Sequence, residues 1–156
     1  MLRKFLFAVL LVALLFALSG CKWMLTTMMW GIIRSSDDTV SKEDTISFVK
    51  EHQNELLSHI EQGEGSTLEG YGIIKSVYET DDFVEFYCGG SGFGSQTNYS
   101  GFFYAKNGYM NAVRSDISLD TMVEKDGGYY WHDEVGDNTY FVVHICDRFY
   151  YYYEHY

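Results

Sequence analysis

Thiols, imidazoles and carboxylates are the groups through which this chain could do chemistry: three Cys, five His and twenty-two Asp and Glu in 156 residues. Apart from Cys21, the thiols are Cys88 and Cys146. A nucleophilic Cys needs an activating His or a helix N-terminus. His132, His144 and His155 fall in the same half of the chain, but no spacing ties one of them to a thiol. Two other roles fit the pair. One is a Cys88–Cys146 disulfide in a non-reducing space; the other is that of small buried core residues. His132-Asp133-Glu134, Asp137 and His144 have the side-chain types of a metal site. Neighbours on a strand point to opposite faces, so His132 and Asp133 do not share one ion. EF-hand spacing is absent, and His52 and His59 stand two helical turns apart. The expectation is therefore no metal and no cofactor. Gly89 to Ser95 is glycine-rich but matches neither GxGxxG nor GxxxxGKS, and no helix follows to receive a phosphate. It reads as a tight strand connection. No Ser-His-Asp set or carboxylate pair stands out, so the site residues expected for catalysis are none.

The tyrosines form the remaining candidate. All fourteen lie at or after Tyr71. Strands with one apolar and one Tyr face can offer rings to sugars or extended peptides. Pairing across strands to stabilise the sheet is the favoured reading, because Tyr ordinarily covers half-exposed sheet faces.

These groups need elements to hold them. Ser41-Lys42-Glu43-Asp44 matches a capping box. Behind it Ile46, Val49, Leu56 and Ile60 recur at helical spacing, with Phe48 and Leu57 widening the stripe. Gly63 is placed to end the helix. The pattern predicts one amphipathic helix over 42–62. From Tyr71 the helical period gives way to aromatic and β-branched runs between short turn signals, the mark of strands. Strands are expected at 73–79, 83–88, 99–106, 109–113, 129–134, 139–146 and 148–156. Asn107-Gly108 signals a two-residue hairpin between the third and fourth. Phe149 to Tyr153 are five aromatics in a row, which predicts an integral strand with one set of rings in the core and the other on a partly exposed surface. The fold class is α+β: one N-terminal helix packed on an antiparallel sheet of about six strands.

The first forty residues have a different character. Arg3 and Lys4 precede the apolar run from Phe5 to Leu18, and Leu18-Ser19-Gly20-Cys21 follows. Basic residues, an apolar core and a small-residue site make an export signal. With Cys next, LSGC resembles the lipobox of bacterial lipoproteins. That resemblance implies cleavage before Cys21, a diacylglycerol on its thiol with palmitate-type acyl chains, and a cell-membrane anchor on the extracytoplasmic face. Residues 1–20 are then a lipoprotein signal peptide, 21–40 a membrane-proximal segment and spacer, and 41–156 a single domain. Trp23 to Ile33 is apolar but too short to cross a hydrocarbon core, which takes about twenty residues. It suits the interface, with Trp23 and Trp30 at headgroup depth. The alternative joins it to the signal as a single uncleaved N-terminal transmembrane helix.

The chain's net charge is −11, and losing Arg3 and Lys4 with the signal takes it to −13. An anionic bilayer repels such a body, so the anchor must hold it. The same balance excludes a nucleic-acid partner, which needs clustered Lys and Arg. Hydrophobic residues make up 47%, too many for a disordered chain.

Phe86-Tyr87-Cys88-Gly89-Gly90-Ser91-Gly92, Tyr99-Ser100-Gly101-Phe102-Phe103-Tyr104 and Phe149-Tyr150-Tyr151-Tyr152 resemble a group of small exported proteins of Gram-positive bacteria. The resemblance covers about 73–156 and implies fold and location without chemistry. The expected function is a non-catalytic binding domain at the cell envelope, with membrane lipid as one partner and a protein or glycan as another. The alternatives are a small cell-wall-acting enzyme using Cys88 or the His cluster, and an inhibitor or immunity-type protein whose acidic, aromatic face blocks a basic partner.

Overall fold

The computed structural model describes residues 39–93 and 96–156. The signal, Cys21 and the apolar segment after it lie outside the described residues, as do Gly94 and Ser95.

Helix α1 spans Lys42–Glu61. Its start follows from the capping box: the Ser41 hydroxyl oxygen accepts from the Asp44 amide at 3.1 Å and donates to the Asp44 carboxylate at 2.7 Å. Thr45, Val49, Leu56 and Ile60 are its buried stripe, with Ile46, Phe48 and Leu57 packed beside them. Gly63 follows with φ +70, a conformation that suits glycine past a helix end. Among the described residues no helix is long and apolar enough to cross a membrane.

Seven strands follow: β1 (Ser76–Glu79), β2 (Phe83–Phe93), β3 (Gln96–Ala105), β4 (Val123–Lys125), β5 (Gly128–His132), β6 (Thr139–Cys146) and β7 (Phe149–His155). They form one sheet in the order β1-β2-β3-β7-β6-β5-β4. Every neighbouring pair is antiparallel. The fold is thus α+β with one helix and a seven-stranded antiparallel sheet, one strand more than the expected six. The C-terminal strand sits at the centre of the sheet.

Three local expectations change. The Asn107-Gly108 hairpin does not form, because β3 already has β2 on one edge and β7 on the other. Residues 109–122 instead fold as turns over the sheet face opposite α1. There Met110, Ala112, Val113, Ile117 and Met122 pack against Phe103, Tyr140, Val142 and Tyr152. Gly89 to Phe93 is strand rather than loop: a bulge at Cys88 shifts the register, and β2 continues against β3. The third change is on β7, where Tyr152 is buried together with Phe149 and Tyr151. The capping segment covers what would have been a partly wet surface.

The α1 side of the sheet carries Val84, Phe86, Phe102, Phe149 and Tyr151 in the larger core. Phe86 and Phe102 stack there with centroids 4.6 Å apart. Asp126-Gly127 closes the β4–β5 hairpin with both residues at positive φ, 51 and 74, the twist a two-residue turn requires.

Candidate functional site

On the sheet face away from α1, cross-strand register builds one concave feature. Tyr78 on β1 opposes Glu85 on β2. In the next row Ser76, Tyr87, Gly101 and Tyr152 come from β1, β2, β3 and β7. The row beyond holds Gly90, Tyr99 and Glu154. Two of these positions are glycine, so neighbouring rings lean into the space. A Cβ on Gly101 would meet the Phe86 carbonyl oxygen and would lie 3.0 Å from the Tyr152 ring. A Cβ on Gly90 would meet the Asn98 carbonyl oxygen and lie 2.9 Å from the Tyr87 hydroxyl.

The result is a groove of about 460 Å³ lined by Ser76, Tyr78, Glu85, Tyr87, Tyr99, Tyr152, Glu154 and Tyr156. That size is within the range of small-ligand sites, roughly 300–1,000 Å³. Its walls are tyrosine. Tyr87 and Tyr99 sit 6.1 Å apart at 58° to each other, and Tyr99 and Tyr156 sit 6.0 Å apart at 69°. Tyr78, on the edge strand, is 61% exposed. The floor holds Tyr152 and two carboxylates.

Those carboxylates differ. Glu154 is buried yet served: the Tyr156 hydroxyl donates to it at 3.0 Å, and the Arg114 guanidinium reaches it at 3.5 Å. Arg114 comes from the capping segment, is held by Asp116 at 2.8 Å, and lies 5.7 Å from the Tyr156 ring centroid. Burial raises the Glu154 carboxyl, against the lowering effects of Tyr156 and Arg114. Glu85 is also raised by burial, and a hydrogen bond from Tyr152 lowers it only in part. Among the described residues no ion pair reaches Glu85. It is a desolvated carboxyl to which the described residues bring no cation, an arrangement that disfavours ionisation.

The residues singled out from sequence fall elsewhere. Cys88 is buried in the α1-side core, where its thiol donates to the Phe86 carbonyl oxygen at 3.6 Å. Burial pushes its pKa up to about 12. Cys146, at the end of β6, is raised by burial and by Asp147. Both are free cysteines. β3 and β7 lie between their strands, so three inter-strand steps of about 4.8 Å each separate them. A bridge needs Cα atoms closer than about 7 Å. The disulfide weighed from sequence is therefore absent, and neither thiol is activated.

The histidines are dispersed. His144 Nε2 lies 2.7 Å from the Asp147 carbonyl oxygen, His52 Nδ1 2.9 Å from the Tyr71 hydroxyl and His59 Nδ1 3.0 Å from the Thr67 hydroxyl. Asp137 approaches His155, at 3.9 Å, rather than His132 or His144. Among the described residues no three His, Cys, Asp or Glu side chains are grouped to hold a metal.

The two groove carboxylates escaped the reading of the sequence. Glu85 and Tyr87 alternate on β2, as Tyr152 and Glu154 do on β7, with Tyr156 following at the same spacing. Acid and tyrosine at two-residue spacing was a signal on each strand, but nothing local said that the two faces would coincide. No protein-family model, no curated protein and no solved structure matches the chain.

Proposed function

We propose that the chain is a lipid-anchored binding domain of the cell envelope that engages its partner through the tyrosine-and-glutamate groove and catalyses no reaction. In this reading Cys21 carries the lipid, residues 22–40 space the domain from the bilayer on the extracytoplasmic face, and the resemblance to small exported proteins fits that location. The observation that carries the binding part is the groove itself. Tyr78, Tyr87 and Tyr99 from three strands, and Tyr156 just past the end of β7, line it with partly accessible rings around two carboxylates. Aromatic rings with a few fixed polar groups are the usual composition of a recognition site. A Cys88-dependent enzyme is disfavoured by a thiol that is buried and raised to about 12. The inhibitor-type reading keeps one specific support, the acidic floor of the groove, and is the second reading.

Two measurements in one strain test this proposal. With labelled palmitate, the wild type takes up label, whereas Cys21→Ala does not and stays uncut. Equal labelling and processing of both would overturn the anchor. A photocrosslinking amino acid at Tyr99, in the groove, gives adducts in intact cells, and one at Tyr109, exposed outside it, does not. Adducts from Tyr109 alone would overturn the groove as the binding face.

A further inference from the structure

We infer that the groove receives a side-chain cation, the ammonium or guanidinium head of a Lys or Arg on a basic partner protein. The inference rests on the groove being the binding face, as proposed above, and names what fills it.

Three observations lead there. The first is the shape of the aromatic wall. A sugar ring stacks on a flat platform, which needs rings close to coplanar. Tyr87, Tyr99 and Tyr156 are instead inclined to their neighbours by 58° and 69°. Such a wall gives a flat sugar no platform, whereas a compact cationic head needs contact with only one ring face at a time.

The second is a precedent inside the same protein. At the Glu154 end the chain supplies its own cation. The Arg114 guanidinium meets the Glu154 carboxylate and lies 5.7, 5.8 and 5.9 Å from the ring centroids of Tyr156, Trp131 and Tyr140. At the Glu85 end the same ingredients recur: a carboxyl among tyrosines, with Tyr78 opposite it and Tyr152 donating to it. Here the described residues bring no cation. A visiting ammonium at Glu85 would do what Arg114 does at Glu154, favouring the charged carboxylate that burial disfavours.

The third concerns the source of the cation. The chain carries a net charge of −11, which draws basic proteins from a distance and repels acidic ones. Tyr78 and Ser76 line the groove from β1, the edge strand of the sheet. The groove is therefore open at the side of the sheet, where a side chain still attached to a polypeptide can enter.

The test uses the full chain in nonionic detergent, titrated by calorimetry with an acetylated, amidated octapeptide of alternating Gly and Lys. The other probes are the same peptide with Glu for Lys, tetramethylammonium chloride and chitotetraose. The Lys peptide is expected to bind, with affinity falling as salt rises. Glu85→Gln should weaken it about tenfold, the loss of one charge-assisted contact. Tyr78→Ala should weaken it about threefold, as one exposed cation–π contact would. Tyr78 is exposed, so that variant keeps the inference testable if Glu85→Gln folds poorly.

Equal binding to the wild type and both variants overturns the inference, since charge alone then attracts the peptide. Tetramethylammonium binding as tightly as the peptide overturns the polypeptide source. Chitotetraose binding in place of the Lys peptide overturns the cation while leaving the groove as a binding face. If no probe binds but Tyr99 still crosslinks in cells, the cation inference fails alone. If neither occurs, both readings fail.

Discussion

Glu85 is a residue that costs the fold stability at neutral pH. Burial raises its carboxyl, so the folded chain keeps the proton at pH values where the unfolded chain has released it. The stability associated with that group is complete below the unfolded value, near 4.5, and is lost as pH rises through the raised folded value. Asp116 behaves oppositely. Its hydrogen bond from Arg114 lowers its pKa, so its contribution is present above the unfolded value and lost as pH falls. Comparing Glu85→Gln with the wild type removes Asp116 from the difference, because both chains keep it; Glu154, which the Glu85 charge helps to raise, is relieved by the substitution and so shifts the difference in the same direction. The variant should match the wild type near pH 4 and become the more stable as pH rises toward 7. Denaturant melts across that pH range measure the gap, and a gap independent of pH would contradict the desolvation of Glu85. A carboxyl kept at such a cost is a common mark of function.

At the scale of elements, the helix was legible and the strand pairing was not, for a physical reason. Helix signals are local: Ser41 caps Asp44, and the stripe through Val49, Leu56 and Ile60 repeats within a few turns. The observed Lys42–Glu61 differs from the expected range by one residue at the C-terminal end. Strand partners are chosen by distant chain. Asn107-Gly108 has the local chemistry of a hairpin, yet β7, more than forty residues later, occupies the edge of β3 that the hairpin would have used. The glycines after Cys88 look like a loop to any local rule. They are strand because a bulge and the opposing Ser100, Tyr99 and Asn98 continue the ladder. The helix reading gives a direct comparison. Leu56 is fully buried against the sheet, so Leu56→Ala should cost about 2–5 kcal/mol. Asn54, exposed on the other side, should lose no more than about 0.5 kcal/mol on change to Ala. Urea denaturation with similar midpoints for both would refute the packing of α1 described above.

At the scale of the whole molecule, the last strand joins the two parts of the sheet. β1, β2 and β3 form one antiparallel set, and β6, β5 and β4 form another. β7 alone is hydrogen-bonded to both, through β3 on one edge and β6 on the other. Its residues also serve both cores: Phe149 and Tyr151 pack on the α1 side, and Tyr152 packs under the capping segment. The chain therefore cannot close its sheet until β7 has been made, and its long-range pairings must wait for that strand. The sequence made the strand visible as five consecutive aromatics but gave no sign that it is central. Deleting residues 149–156 should unfold the domain. Each buried large aromatic contributes roughly 1.5–3 kcal/mol, three are lost, and a domain's total stability is only about 5–15 kcal/mol. The severed ladder adds unpaired backbone groups on both β3 and β6. Circular dichroism of the truncated chain should show no cooperative melt. A melt unchanged from the wild type would mean that the aromatic terminus is a tail, and that β3 and β6 are held together by something other than β7.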